Sequence, residues 1–229
     1  MNSRFALEGG SRAGRHNAGF WLSITMSALL VACLGNSASA QLRRPGQGEP
    51  VRKRPVLRIR RIDGMGSGDR QFTPRYETSA RGGREPAKEW GVVTLEYSTE
   101  PEWIDNVTIT FYALSMMREG KQNIYSMYRK EVNYVDVEED NDHRAAAYLR
   151  PAALERYGRL VAIAAEVSVD GEPVAEIGDK RLGDALPEKW WKDPRVVKSE
   201  LVTMREGYLL SKKESPFALI AVDDYEWIR

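Results

Sequence analysis

Residues 90–114 read WGVVTLEYSTEPEWIDNVTITFYAL, two alternating runs joined by a short polar turn. In the first run Val93, Leu95 and Tyr97 project to one side while Val92, Thr94 and Glu96 project to the other, the period of two that marks a half-buried strand. In the second, Val107, Ile109, Phe111 and Ala113 make the apolar face, and Thr108, Thr110 and Tyr112 the wetter one. β-Branched and aromatic side chains favour such a pleated surface. Thr99 to Pro101 supplies the bend, because proline cannot donate to a ladder. The two runs are therefore expected to pair as a hairpin. A lone hairpin is marginal in water, so further strands must cover its apolar face.

Those strands follow downstream. Ile124–Arg129 and Val132–Val137 are two strand-like stretches, the acidic loop Glu138–Asp142 comes next, and Arg144–Arg150 reads as another strand. Pro151–Tyr157 has proline at a first helical position and Gly158 as a stop, which predicts a helical turn. In Leu160–Val169, Val161, Ile163, Ala165, Val167 and Val169 share one face, with Glu166 and Ser168 on the other. Asp170-Gly171 is a strong hairpin signal, since both turn positions need positive φ, and Glu172–Ile177 returns as the partner. About seven strands with short turns and no strong amphipathic helix predict an all-β, immunoglobulin-like β-sandwich. Tyr157 stands where such domains carry a corner aromatic, a fold-level analogy.

From about Leu186 the chain continues as a C-terminal β extension, expected to pack on the sandwich and add edge strands. Pro216–Val222, PFALIAV, is apolar enough for a buried strand. Trp190 and Trp191 sit between prolines. Adjacent side chains on an extended segment point to opposite faces, so one indole anchors the tail while the other lies on the surface. Trp190, Trp191 and Tyr112 are thus the candidate contacts for a protein partner or a sugar ring. The alternative is that both indoles staple the extension down.

Upstream of Glu89 the composition changes. Residues 41–88 hold 13 basic against 5 acidic side chains, whereas residues 89–229 hold 18 against 27, within a chain of net charge +1. Val56–Ile62 alternates weakly, as a strand or an arm that docks late, and Gly64–Lys88 has little to bury. Residues 41–88 therefore read as a basic, low-complexity linker or arm, attracted to an acidic cell-surface polymer, lipid headgroups or an acidic partner, or serving as a solvated spacer. Residues 89–229 are the expected sandwich domain with its extension. With 42% hydrophobic residues there is enough to bury in one core.

Residues 1–40 read as a signal peptide. Arg12, Arg15 and His16 precede the apolar run Phe20–Leu34, and Ala38-Ser39-Ala40 offers a cleavage site before Gln41. Export to the periplasm or outer surface of a Gram-negative-type bacterium follows. A second reading competes, in which Leu30-Val31-Ala32-Cys33 resembles a lipobox and Cys33 is the lipidation site. Only then is the membrane a partner. Cys33 is the only cysteine, so the mature body is held by its core and not by disulfides.

Catalysis is poorly supplied. From Glu89 onward there is one histidine, His143, and no cysteine, which leaves out a Cys-His pair and a multi-histidine metal site. No Gly-x-Ser-x-Gly elbow occurs. Gly64, Gly66 and Gly68 lack the preceding strand and following helix of a phosphate loop. Glu138–His143 crowds oxygen ligands without the twelve-residue calcium pattern and reads as a solvated turn. The Asn106-Val107-Thr108 sequon falls inside a strand and is expected to stay unmodified. The expectation is a non-enzyme with no catalytic, cofactor-binding or metal residues, no cofactor and no nucleic-acid partner.

The succession Tyr148-Leu149-Arg150-Pro151, Glu155-Arg156-Tyr157-Gly158, Leu186-Pro187-Glu188-Lys189-Trp190-Trp191 and Ser215-Pro216-Phe217-Ala218-Leu219 resembles a family of exported immunoglobulin-like proteins from Verrucomicrobia and related bacteria. Members of that family are encoded beside type IV pilus assembly genes. The resemblance covers about Glu89 to Arg229 and implies an envelope or surface β-sandwich, an accessory to pilus or surface assembly through contacts with envelope or pilus assembly proteins. It brings no catalytic residues. A prepilin cleavage motif with a long hydrophobic N-terminal helix is not present, which sets the chain apart from a major type IV pilin. From another class, a carbohydrate- or cell-wall-binding sandwich would use Trp191 or Tyr112 as a stacking platform. Coplanar exposed aromatics would mark the second, an apolar patch or open strand edge the first.

Overall fold

A computed structural model of the chain describes residues 57–74, 87–100 and 103–220, together with the backbone of Trp227–Ile228. Residues 1–40, which read as a signal peptide and include Cys33, residues 41–56 and 75–86 of the basic arm, and Pro101 lie outside the described residues. The elements run in the order β1 (Leu57–Asp63), β2 (Arg70–Phe72), β3 (Glu89–Thr99), β4 (Ile104–Glu119), β5 (Gln122–Val137), β6 (His143–Leu149) and helix α1 (Pro151–Tyr157). Then come β7 (Arg159–Val169), β8 (Glu172–Lys180), helix α2 (Pro194–Val197), β9 (Val202–Met204), β10 (Leu209–Ser211) and β11 (Trp227–Ile228).

Two sheets form a sandwich. The first has the order β1-β3-β6-β10 with β2 also on β3, and the second β11-β5-β4-β7-β8 with β9 also on β5. With β3, β6, β4, β7 and β8 in the places of strands B, E, C, F and G, this is the immunoglobulin-like arrangement, β5 taking the extra C′ position. The chain is an all-β, immunoglobulin-like sandwich with a C-terminal β extension.

Residues 90–114 supply both central strands but do not pair as the expected hairpin. β3 bonds to β1 and β6, β4 bonds to β5 and β7, and the chain crosses between sheets from one to the other. The apolar faces explain it. Val93, Leu95 and Tyr97 and, on β4, Val107, Ile109, Phe111 and Ala113 are fully buried in one shared core. Side by side they would make one face still in need of cover; set opposite each other, the two runs bury both. The stretches expected as two strands between Ile124 and Val137 are a single strand of 16 residues.

The sandwich also starts earlier than Glu89. β1 docks along β3, with a bulge between Ile59 and Arg61, and buries Leu57 and Ile62 in the core. β2, which falls in the stretch expected to be a low-complexity linker or arm with little to bury, pairs with Glu89–Gly91. Ladder bonds come from the backbone, so an arginine-rich strand can form an edge while its charges face water. Arg61 bonds Glu96 through Nε at 2.8 Å, and Arg60 pairs with Asp142 at 2.9 Å.

A second irregularity decides how the extension is seated. The register of β7 on β4 shifts between Leu114 and Ser115, which oppose Ala162 and Leu160, so Val161 is the extra residue. A bulge reverses the alternation. Leu160, Ile163, Ala165 and Val167 line the main core, whereas Val161, Ala162 and Ala164 belong to a second cluster with Leu114, Met127, Leu186, Trp190, Trp191 and Val196. The extension thus covers the outer face of the second sheet. It then adds β9 in parallel to β5 and β10 to β6, and Phe217 joins Trp90, Ala146, Tyr148 and Leu210 in a third cluster. Residues 216–219 are turns, not the expected strand, and only Phe217 of that stretch is deeply buried while Leu219 is 78% exposed.

Candidate functional site

Two of the three candidate contact residues, Trp191 and Tyr112, converge on one carboxylate. Glu166 on β7 accepts Trp191 Nε1–H at 2.9 Å on one oxygen and Tyr112 O–H at 3.1 Å on the other, and Lys192 pairs with it as well. Lys192 and Lys189 also reach Glu176 on β8. Trp191 lies tilted on Tyr112, with ring centroids 6.5 Å apart, and edge-on to Trp190 at 5.8 Å.

Local sequence explains the seat. Ala162 and Ala164 leave a shallow shelf on β7, and at Gly178 a methyl would run into the six-membered ring of Trp191. Burying two indoles there is worth roughly 4–6 kcal/mol each before entropy is subtracted. Trp190 is fully buried, and its Nε1–H is the buried side-chain donor without a hydrogen-bond partner among the described residues. Such an orphan costs about 1–3 kcal/mol, less than the burial returns.

Trp190 and Trp191 are therefore staples, and the surface role considered for one of them is corrected. The physical reason is that the extension does not run as an exposed strand at this point: residues 188–192 form turns, which allow both rings to face the sheet. Tyr112 is half-buried, with its hydroxyl engaged by Glu166, and it presents no flat platform beside an exposed partner ring. Cys33, the candidate lipidation site, lies outside the described residues.

The other singled-out residues are structural too. His143 stacks on Tyr97 at 5.0 Å and its Nε2 lies 2.9 Å from Thr99 Oγ1 and 3.0 Å from the Glu138 carbonyl. This ties the acidic loop to the end of β3. Tyr157 does occupy a corner, but its partner comes from the extension. Its hydroxyl is 3.3 Å from that of Tyr208, and the Arg205 guanidinium lies 3.7 Å over its ring while Arg205 Nε donates to Ser126 Oγ at 2.9 Å. The shared bond lowers the Tyr157 pKa and raises that of Tyr208, and burial raises that of Tyr128 beneath them. Among the described residues no group of three or more His, Cys, Asp or Glu is placed to hold a metal ion, and no helix is long and apolar enough to cross a membrane.

What sequence reading missed is the exposed apolar surface. Val197, Leu201 and Met204 are 39%, 40% and 47% exposed within eight positions of the extension. Val196, Val197, Leu201, Val202 and Met204 are all apolar, and no periodicity separates those facing in from those facing out. Val196 and Val202 turn to the second cluster.

A protein-family model matches residues 66–229 of the chain. A solved crystal structure of a protein from Akkermansia muciniphila matches with a TM-score of 0.61 at 23% sequence identity, over 76% of this chain and 92% of that one. At that identity the likeness establishes the fold. No curated protein matches the chain.

Proposed function

We propose a function from one premise: the chain belongs to the family whose model matches residues 66–229. It acts as a non-enzymatic protein of the bacterial envelope or surface, an accessory to pilus or surface assembly that works through protein–protein contacts. Export is part of the reading. Residues 1–40 carry the features of a signal peptide, and Cys33 is either removed with it or becomes a lipid anchor. The link to pili rests on the resemblance to exported sandwiches encoded beside pilus assembly genes.

The observation that carries the reading is where apolar area is left exposed. Of the eight large hydrophobic side chains exposed among the described residues, five, Val197, Leu201, Met204, Leu219 and Ile220, lie on the extension. Exposed apolar surface rimmed by charge marks a contact with another macromolecule. Of the aromatics that would have favoured a sugar, Trp190 and Trp191 are buried and Tyr112 is half-buried with its hydroxyl on Glu166.

Purification of the tagged protein from its native envelope after mild cross-linking tests this. Pilus or surface assembly proteins are expected to come with it, and Leu201→Asp with Met204→Asp is expected to release them while circular dichroism stays unchanged. Recovery of cell-wall glycan fragments alone would transfer the protein to the carbohydrate-binding class.

A further inference from the structure

The sandwich core is not filled to its end. The inward positions of β3 run Tyr97, Leu95, Val93 and then Gly91. At Gly91 a methyl would meet nothing closer than 3.4 Å, at Leu149, with Leu154 at 3.8 Å. The missing side chain opens into a cleft of about 270 Å³. Its walls are the loop after β1, Leu154 of α1, Arg159 and Leu160 at the start of β7, and Arg181 just past β8. The loop is the Gly64-Met65-Gly66-Ser67 stretch, and it follows a strand after all. Gly64 lies so close to β3 that a methyl there would sit 3.0 Å from the Val92 carbonyl oxygen and the Val93 Cα. The Gly66 N–H is taken by Asp69 Oδ2 at 2.6 Å, so Gly66 contributes shape rather than a free donor.

Charge is uneven around this space. Arg70 is neutralised by Glu89, at 2.9 Å across β2 and β3. Arg159 and Arg181, which also line the cleft, have no ion-pair partner among the described residues. Two uncompensated guanidinium forks suit a carboxylate or phosphate group, which they can hold through paired N–H donors. Between them Leu154 and Leu160 offer apolar wall. The volume falls just under the roughly 300–1,000 Å³ of pockets for larger ligands, which suits a body about the size of one sugar ring.

We propose that this cleft binds an acidic monosaccharide unit, its carboxylate or phosphate held by Arg159 and Arg181 and its ring laid against Leu154 and Leu160. The site shares no residue with the exposed segment 197–204, so it stands or falls independently of the protein-contact reading.

Calorimetric titration of the mature chain at low salt with glucuronate, glucose 6-phosphate, glucose and inorganic phosphate tests it. At least one acidic sugar is expected to bind one-to-one, tenfold or more tighter than glucose and than inorganic phosphate, and the tighter of the two identifies the anion. Arg159→Gln with Arg181→Gln is expected to weaken binding tenfold or more. Gly91→Val, which fills the cleft without touching charge, should block it, and the surface arginine pair keeps the test open if that variant does not fold. Leu201→Asp with Met204→Asp should leave binding unchanged. No binding of either acidic sugar, equal binding of glucose, inorganic phosphate as tight as the sugars, or full binding by the arginine double variant would each overturn the proposal.

Discussion

Gly158 ends α1 at φ 80°, and a methyl on it would fall onto the Met116 carbonyl of β4. Gly171, at φ 84° in the β7–β8 turn, has open space around it. The two glycines separate backbone strain from collision. Gly171→Ala should cost about 1 kcal/mol, from the positive φ alone, and Gly158→Ala about 2–4 kcal/mol, because the chain must also move. Urea denaturation of the two variants measures this, and equal losses would mean that the close approach to Met116 is relieved without cost. Both glycines were legible in sequence as stop and turn, as was Asp170, which does take φ 50°. The seat of Trp191 was not. Ala162, Ala164 and Gly178 are far apart along the chain or unremarkable singly, and only the bulge at Val161 and the β7–β8 register bring them under one ring.

At the scale of elements, alternation identified β3 and β4 and the faces they bury, but not their partners. A period of two says which side of a strand is apolar and is silent on whether the next strand lies beside it or across the core. β1 showed only as the weak alternation of Val56–Ile62, and β2 was hidden, because arginine and glycine depress any apolar pattern although a ladder needs only backbone donors and acceptors. The extension was foreseen to pack on the sandwich and add edges, and the structure makes it a strap fixed at Trp190–Trp191, Arg205–Tyr208 and Phe217. Trp191→Ala should cost about 3–5 kcal/mol. In hydrogen exchange, the double variant Trp190→Ala with Trp191→Ala should lose protection across residues 186–204 while the centres of β3 and β6 keep theirs. Uniform loss over all strands would show instead that the strap and the sandwich are one cooperative unit.

Over the whole molecule several surface carboxylates are held ionised by neighbouring cations. Glu96, bonded by Arg61 and close to Arg144, has its carboxyl held below the usual range. Burial pushes Glu214 up, but bonds from Lys130 and from the Ser211 backbone and hydroxyl outweigh it, and its pKa also lies low. Asp193 is lowered by its side-chain bond from Arg195. Each folded value lies below the unfolded one, so the contribution of these groups is fully present above the ordinary carboxylate range and is lost as pH falls through the folded values. The thermal midpoint should therefore decline from about pH 5 toward pH 3, and Glu96→Gln should flatten that decline. An identical slope in wild type and variant would remove Glu96 from the explanation.

Function was the least legible level, since nothing in composition marks a contact surface and the exposed apolar residues of the extension look like their buried neighbours. The most direct measurement is site-specific photo-cross-linking in the native envelope, with the reactive group at Met204 and, as a control, at the exposed Glu131 of β5. An adduct to an identified pilus or surface assembly protein from position 204, absent from position 131, is the predicted result. Equal adducts from both positions, or glycan as the sole product, would contradict a protein contact through the extension.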